Sequence, residues 1–109
     1  MPDVIGISET RIKLGTMLRD NIDLINYNFV DTPTNSSAGG AGLYILKNIQ
    51  FKERDNLRLN INNCEDIWVE TTLQNKTTVI GCIYRHPRQN IKKLEDAIME
   101  TLKLIVKSI

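Results

Sequence analysis

Long apolar runs are missing from this chain. The longest, Val79 to Tyr84, is about six residues with Gly81 inside it, whereas a membrane-spanning helix needs roughly 20. The opening stretch, Met1 to Thr10, has neither a basic start nor a long apolar core and does not read as a signal peptide. Charge of one sign is missing too: 14 basic and 13 acidic side chains leave a formal net charge of +1. No bulk field of either sign therefore acts as a glue for nucleic acid or membrane. Only two cysteines, Cys64 and Cys82, and one histidine, His86, are present. Two cysteines make neither a disulfide framework nor a metal cluster, so the expected setting is a reducing, intracellular one without disulfides. There the sequons at Asn35 and Asn75 stay unglycosylated. Internal repeats and low-complexity segments are also lacking.

What is present fits one small domain of 109 residues, with 41% hydrophobic and 25% charged residues, too apolar for a disordered chain. A chain this short buries roughly 60–70% of its unfolded surface at best. If it is a piece of a larger domain, apolar faces are left open.

Residues 3–8 form a short apolar run without helical period, the pattern of a buried strand. Residues 11–25, interrupted by Gly15, have irregular apolar spacing and predict a loop with at most one helical turn. Strands are expected at Tyr27–Val30, Gly42–Leu46 and Ile49–Arg54, with the Gly-, Ser- and Thr-rich stretch Asp31–Gly42 as a loop. Ile67 to Leu73 alternates and predicts a half-buried strand. After the polar turn Gln74-Asn75-Lys76, Thr77 to Tyr84 closes a hairpin; its apolar atoms on both faces suggest a central strand. Ile91, Leu94, Ile98, Leu102, Ile105 and Ile109 then step at helical spacing behind Asn90 as N-cap. Lys92 and Lys93 fall in the first turn, where the helix dipole disfavours cations. The order is six strands and then one C-terminal helix.

Few residues carry chemistry. Glu9 stands just past an apolar strand; a carboxylate there can hold Mg²⁺, which takes one or two carboxylates plus water and substrate phosphate. The plainer alternative is a solvent-facing side chain at a strand end. Tyr84-Arg85-His86-Pro87 closes another strand, and a phenol and a guanidinium both hold phosphate oxygens. Arg85, Arg88, Lys92 and Lys93 fall within nine residues that contain no acid. The cluster suits a nucleic-acid backbone, or is simply a solvated loop and helix start. His86 has the chemistry of a general base but no evident companion, and reads as a loop residue restricted by Pro87. Gly39, Gly40 and Gly42 are followed by neither Gly-Lys-Ser/Thr nor a helix, which excludes the P-loop and dinucleotide readings. Trp68 and Tyr44 read as core aromatics, and Cys64 and Cys82 lack zinc-ligand partners.

Five stretches occur together in order: Asp3-Val-Ile-Gly-Ile-Ser-Glu9-Thr-Arg11, Tyr27-Asn-Phe, Ala38-Gly-Gly-Ala-Gly-Leu-Tyr-Ile45, Asp66-Ile-Trp-Val-Glu70 and Val79-Ile-Gly-Cys-Ile-Tyr-Arg-His-Pro87. From Asp3 to the final helix the chain resembles the endonuclease/exonuclease/phosphatase superfamily, especially the endonuclease domain of LINE-type non-LTR retrotransposons. The resemblance implies an α/β (α+β) fold, here an incomplete four-layer sandwich of two packed sheets with helices outside. It implies Mg²⁺-dependent phosphodiester hydrolysis that nicks nuclear target DNA to prime reverse transcription. Glu9 matches the metal-binding glutamate of a Glu-Thr motif, and Tyr84 the tyrosine at the scissile phosphate. Arg85 belongs to a Tyr-Arg-Pro-Pro motif whose first proline is His86 here. Arg11, Arg88, Lys92 and Lys93 would contact DNA.

Residues 1–109 lack the family's N-terminal strand with its motif Asn, its Gly-Asp-Phe-Asn motif and its closing Ser-Asp-His motif. About half of the domain is therefore expected here, with one metal ligand, weak Mg²⁺ binding and no useful nuclease activity alone. An unpaired sheet edge would favour self-association. The rival expectations are a non-catalytic module binding nucleic acid or protein, and a relic reading frame without a selected role.

Overall fold

A computed structural model describes residues 2–11, 24–34 and 38–108, with the backbone alone for 107 and 108. The region expected as an irregular loop, 11–25, and the sequon at Asn35 fall largely outside these residues.

The six expected strands and the helix form in order: β1 (Val4–Ser8), β2 (Tyr27–Thr32), β3 (Ala41–Leu46), β4 (Phe51–Glu53), β5 (Cys64–Leu73), β6 (Lys76–Arg85) and α1 (Ile91–Ser108), with a 3₁₀ turn at Asp55–Leu57. Two antiparallel three-stranded sheets result, β1-β3-β2 and β4-β5-β6. The architecture is mixed α+β. Among the described residues no helix is long and apolar enough to cross a membrane, and Cys64 and Cys82 are free thiols.

The sheets pack face to face, β1 over β6, β3 over β5 and β6, and β2 over β5. Alternation puts Ala41, Leu43 and Ile45 of β3 against Ile67 and Val69 of β5 in a buried cluster. Trp68 points the other way, joining Leu57 and Leu59 beneath Leu94, Ala97, Ile98 and Ile105 of α1. The described residues thus form three layers: sheet, sheet and helix. Asp66 ties the second interface, its carboxylate accepting from the Leu59 N–H at 2.9 Å and the Trp68 indole N–H at 2.7 Å. Gly81 lies opposite Trp68 in register; a Cβ there would stand 2.5 Å from the indole ring.

Two strand assignments differ from expectation. β5, expected to be half-buried, is the central strand of its sheet with Asp66 to Val69 buried, and β6, expected to be central in a layered fold, lies at the edge of its sheet among the described residues. Apolar atoms on both faces of β6 report cover from β1 and β3 on one side and, on the other, the Trp68 cluster that Val79 and Ile83 join and that α1 also packs against. They do not report a neighbour on each edge. The helix contact stripe is also rotated: Leu94, Ala97, Ile98, Thr101 and Ile105 face inward, whereas Ile91 and Leu102 are 58% and 44% exposed. Thr101 belongs to the inner face because its hydroxyl donates to the Leu57 carbonyl at 2.9 Å.

The β5–β6 hairpin turns on Gln74 and Asn75, both with positive φ (50° and 64°), as the twist-matched two-residue turn requires. Asn90 caps α1, its side-chain oxygen accepting from the Lys93 N–H at 3.2 Å.

Candidate functional site

Beyond the end of β1 the chain leaves the sheet in a strained path. Glu9 and Arg11 take left-handed φ values of 58° and 60°, a conformation costing about 1–2 kcal/mol per side-chain-bearing residue. Backbone bonds hold it there: the N–H groups of Glu9 and Thr10 donate to the Gly40 carbonyl (2.7 and 3.3 Å), and that of Arg11 to the Gly39 carbonyl (2.7 Å). Gly39 and Gly40 have φ values of 114° and 95°, and a Cβ on Gly39 would stand 2.3 Å from Glu65 Oε1. Only glycine permits both the turn and this approach.

Glu65 is the junction. Register places it opposite Tyr84. Its carboxylate accepts from the Gly40 N–H at 2.6 Å and faces His86 Nε2 at 2.8 and 2.9 Å. The two side chains are 12% and 16% exposed. The Tyr84 and His86 rings meet edge to face, with centroids 4.9 Å apart. A carboxylate at this position takes up the Nε2 side of the ring, so that a neutral His86 donating from Nε2 would present Nδ1 as its lone-pair nitrogen, the arrangement of a base oriented by an acid. A cleft of about 570 Å³ opens here, lined by Thr32, Thr34, Asn63, Glu65 and His86 among others.

The expected site residues separate into three groups. Glu9, Arg11 and Tyr84 lie around the Gly39–Gly40 turn and the Glu65–His86 pair, Glu9 and Arg11 linked through the backbone bonds above and Tyr84 through its ring contact with His86. Glu9 is exposed there, with Arg11 Nη2 3.3 Å from its carboxylate. Arg88 and Lys93 line a separate cleft at the start of α1. The rest are engaged elsewhere: Arg85 Nη1 donates to the Gln89 carbonyl at 3.3 Å, and Lys92 pairs with Asp96 at 3.2 Å.

His86 has the companion that the sequence reading did not supply, and Glu65 is the residue it missed. Finding it needs the exact hairpin register. The structure turns on Gln74 and Asn75 alone, with Lys76 already in β6 opposite Leu73, which sets Glu65 opposite Tyr84; the three-residue turn expected from the sequence sets it opposite Arg85. The surroundings are electronegative. The Cys64 thiol is pushed up to about 11, first by burial and then by the charges of Asp66 and Glu65. Cys82, donating to the Ile7 carbonyl at 3.4 Å, is raised chiefly by burial.

For Mg²⁺, Glu9 is the candidate ligand, since Glu65 is already bonded to His86 and Gly40. No group of three or more His, Cys, Asp or Glu suited to a metal occurs among the described residues. One exposed carboxylate paired with Arg11 is a partial Mg²⁺ site, whose other ligands would be water and substrate phosphate. No family model, curated protein or solved structure matches the chain.

Proposed function

We propose that this chain is part of a Mg²⁺-dependent DNA endonuclease domain of the endonuclease/exonuclease/phosphatase type, of the kind carried by retrotransposon polyproteins acting on nuclear DNA. The observation that carries the reading is the neighbourhood at one end of the sandwich. The segment bearing Glu9 is bonded to Gly39–Gly40, Gly40 to Glu65, Glu65 to His86, and the His86 ring rests against Tyr84. Glu9 would hold the metal, which polarises a phosphoryl oxygen and activates water when bound. The Tyr84 hydroxyl would donate to the scissile phosphodiester, and Glu65 would orient His86 beside it. Arg85 would neutralise charge only after leaving the Gln89 carbonyl. The outer edge of β6, unpaired among the described residues, is where a further strand of the parent domain, or a second copy, would add.

With one carboxylate for the metal, residues 1–109 alone are expected to cleave feebly. The test joins two measurements: plasmid nicking with Mg²⁺ by wild type and Glu9→Ala, and the reading frame downstream of codon 109. Gly-Asp-Phe-Asn and Ser-Asp-His motifs in frame, or nicking lost in Glu9→Ala, support the proposal. Neither motif and no Glu9-dependent nicking would overturn it, leaving the non-catalytic binding module, which the cationic cleft favours.

A further inference from the structure

The turn Asn60–Asn63 separates two clefts that share Ile61, Asn62 and Asn63 as lining. One holds the Glu65–His86 pair. The other, about 400 Å³, is lined by Asn60, Asn62, Asn63, Arg88, Gln89 and Lys93 among others, with no acid in its wall. Its frame is stitched: the His86 N–H donates to the Asn63 carbonyl at 3.0 Å, the Gln89 N–H to the His86 carbonyl at 2.9 Å, and the buried Gln89 amide to the Asn62 carbonyl. Asn60 and Asn63 hold left-handed φ values of 54° and 59°, which asparagine tolerates better than most residues.

The structure sorts the basic residues of this segment. Lys92 is paired with Asp96 and does not line the cleft, and Arg85 is spent on the Gln89 carbonyl. Arg88 and Lys93 line it, and neither forms an ion pair among the described residues. Two unpaired cations among side-chain amides, without a carboxylate, suit an anion surrounded by further acceptors and donors. The volume lies within the range of about 300–1,000 Å³ typical of small-molecule clefts, more than a bare phosphate needs.

We propose that the cleft between the Asn60–Asn63 turn and the start of α1 is a phosphodiester-binding subsite for a DNA strand, with Arg88 and Lys93 supplying its charge. The choice of DNA rests on the endonuclease reading; the cleft's preference for a phosphodiester rests on its own lining. A strand seated here continues past Asn63 toward His86 and Tyr84.

The test is fluorescence anisotropy of a labelled DNA duplex with the chain, in EDTA, across a salt series. Each phosphate contact contributes about 0.9 to the slope of log affinity against log salt. Arg88→Ala and Lys93→Ala are therefore each expected to lower the slope by about 0.9, a change of about 3-fold in relative affinity between roughly 50 and 200 mM salt. Lys92→Ala and the charge-matched Lys103→Ala are expected to keep the wild-type slope. Circular dichroism checks that each variant is folded, which exposed side chains permit. Equal losses in all four variants would overturn the subsite in favour of a diffuse basic surface, as would failure of the wild type to bind. Displacement of the duplex by inorganic phosphate at matched ionic strength would show a small-anion site and also overturn it. Because EDTA removes the metal, the slopes report binding alone: an unchanged Arg88→Ala slope sinks the subsite even where nicking depends on Glu9, and absent nicking together with absent downstream motifs sinks the nuclease reading while the slopes still decide the subsite.

Discussion

The Glu65–His86 pair holds this end of the sandwich together, and a double-mutant cycle measures it. Glu65→Ala removes three polar contacts: one from the Gly40 N–H at 2.6 Å and two to His86 Nε2 at 2.8 and 2.9 Å. Hydrogen bonds to charged groups contribute about 1.5–3 kcal/mol, and a buried donor left unpaired costs about 1–3 kcal/mol. Both Gly40 and His86 lose their acceptor, so a loss of about 3–5 kcal/mol is expected. His86→Ala leaves Glu65 bonded to Gly40 and opens the carboxylate to water from the adjoining cleft, so about 1–3 kcal/mol is expected. The singles should not add: coupling of about 1–3 kcal/mol is the signature of direct contact. Urea unfolding followed by fluorescence reads all four proteins, because Trp68 is the only tryptophan and is 7% exposed. Coupling below about 0.5 kcal/mol, or a larger loss in His86→Ala than in Glu65→Ala, would refute the pair as the junction of this end of the sandwich.

Besides the nicking and salt-slope experiments, two further outcomes are expected. Gly39→Ala places a Cβ 2.3 Å from Glu65 Oε1 at a φ of 114°, and should cost about 2–5 kcal/mol in urea unfolding from strain and overpacking together. An unchanged midpoint would mean that the turn does not approach Glu65. The Cys64 thiol, raised to about 11 from 9.0 by burial and then by Asp66 and Glu65, should be alkylated by iodoacetamide far more slowly than an unfolded cysteine at pH 8. In linkage terms the raised value favours the native state fully below the unfolded value near 9, and that contribution is lost as pH rises through about 11. Equal alkylation rates in native and urea-unfolded protein would contradict the buried, electronegative setting.

Much of the fold was legible because local pattern and tertiary demand agree. The alternation in β5, a polar turn after Leu73 and the helical period after Asn90 each specify one conformation by short-range physics, although the turn is one residue shorter than the expected Gln74-Asn75-Lys76. What was not legible depends on layers. Val79, Ile80, Cys82 and Ile83 give β6 apolar atoms on both faces. That pattern arises equally from a central strand and from an edge strand covered above and below. Ile91 and Leu102 share the helical period yet face outward, because the inner stripe includes a polar Thr101 that finds a carbonyl. Of the candidate site, Glu9 and Tyr84 were readable as strand-end residues. Their relation to Glu65 and His86 required the hairpin register together with the glycine turn that crosses between sheets.

The left-handed backbone at Glu9 had no signal in the sequence, and its cause explains how this end is built. Neither glutamate nor arginine favours positive φ, so the conformation persists only where surrounding bonds over-determine it. Three backbone bonds from residues 9–11 converge on two consecutive carbonyls, those of Gly39 and Gly40. Those carbonyls are presented that way because both glycines adopt positive φ and because the Gly40 N–H is fixed on Glu65. The glycines therefore serve as a backbone clamp, with the donors of residues 9–11 on one side and the Glu65 carboxylate on the other. Strain at Glu9 and polarity at Glu65 are then two ends of one chain of bonds. Losing the bond from the Gly40 N–H to Glu65 should free Glu9 as well, although the Glu9 N–H donates to Gly40 and not to Glu65. Proteolysis or amide exchange at residues 9–11 in Glu65→Ala reads this coupling: protection lost there while β5 remains protected supports the clamp, and protection unchanged at both places rejects it.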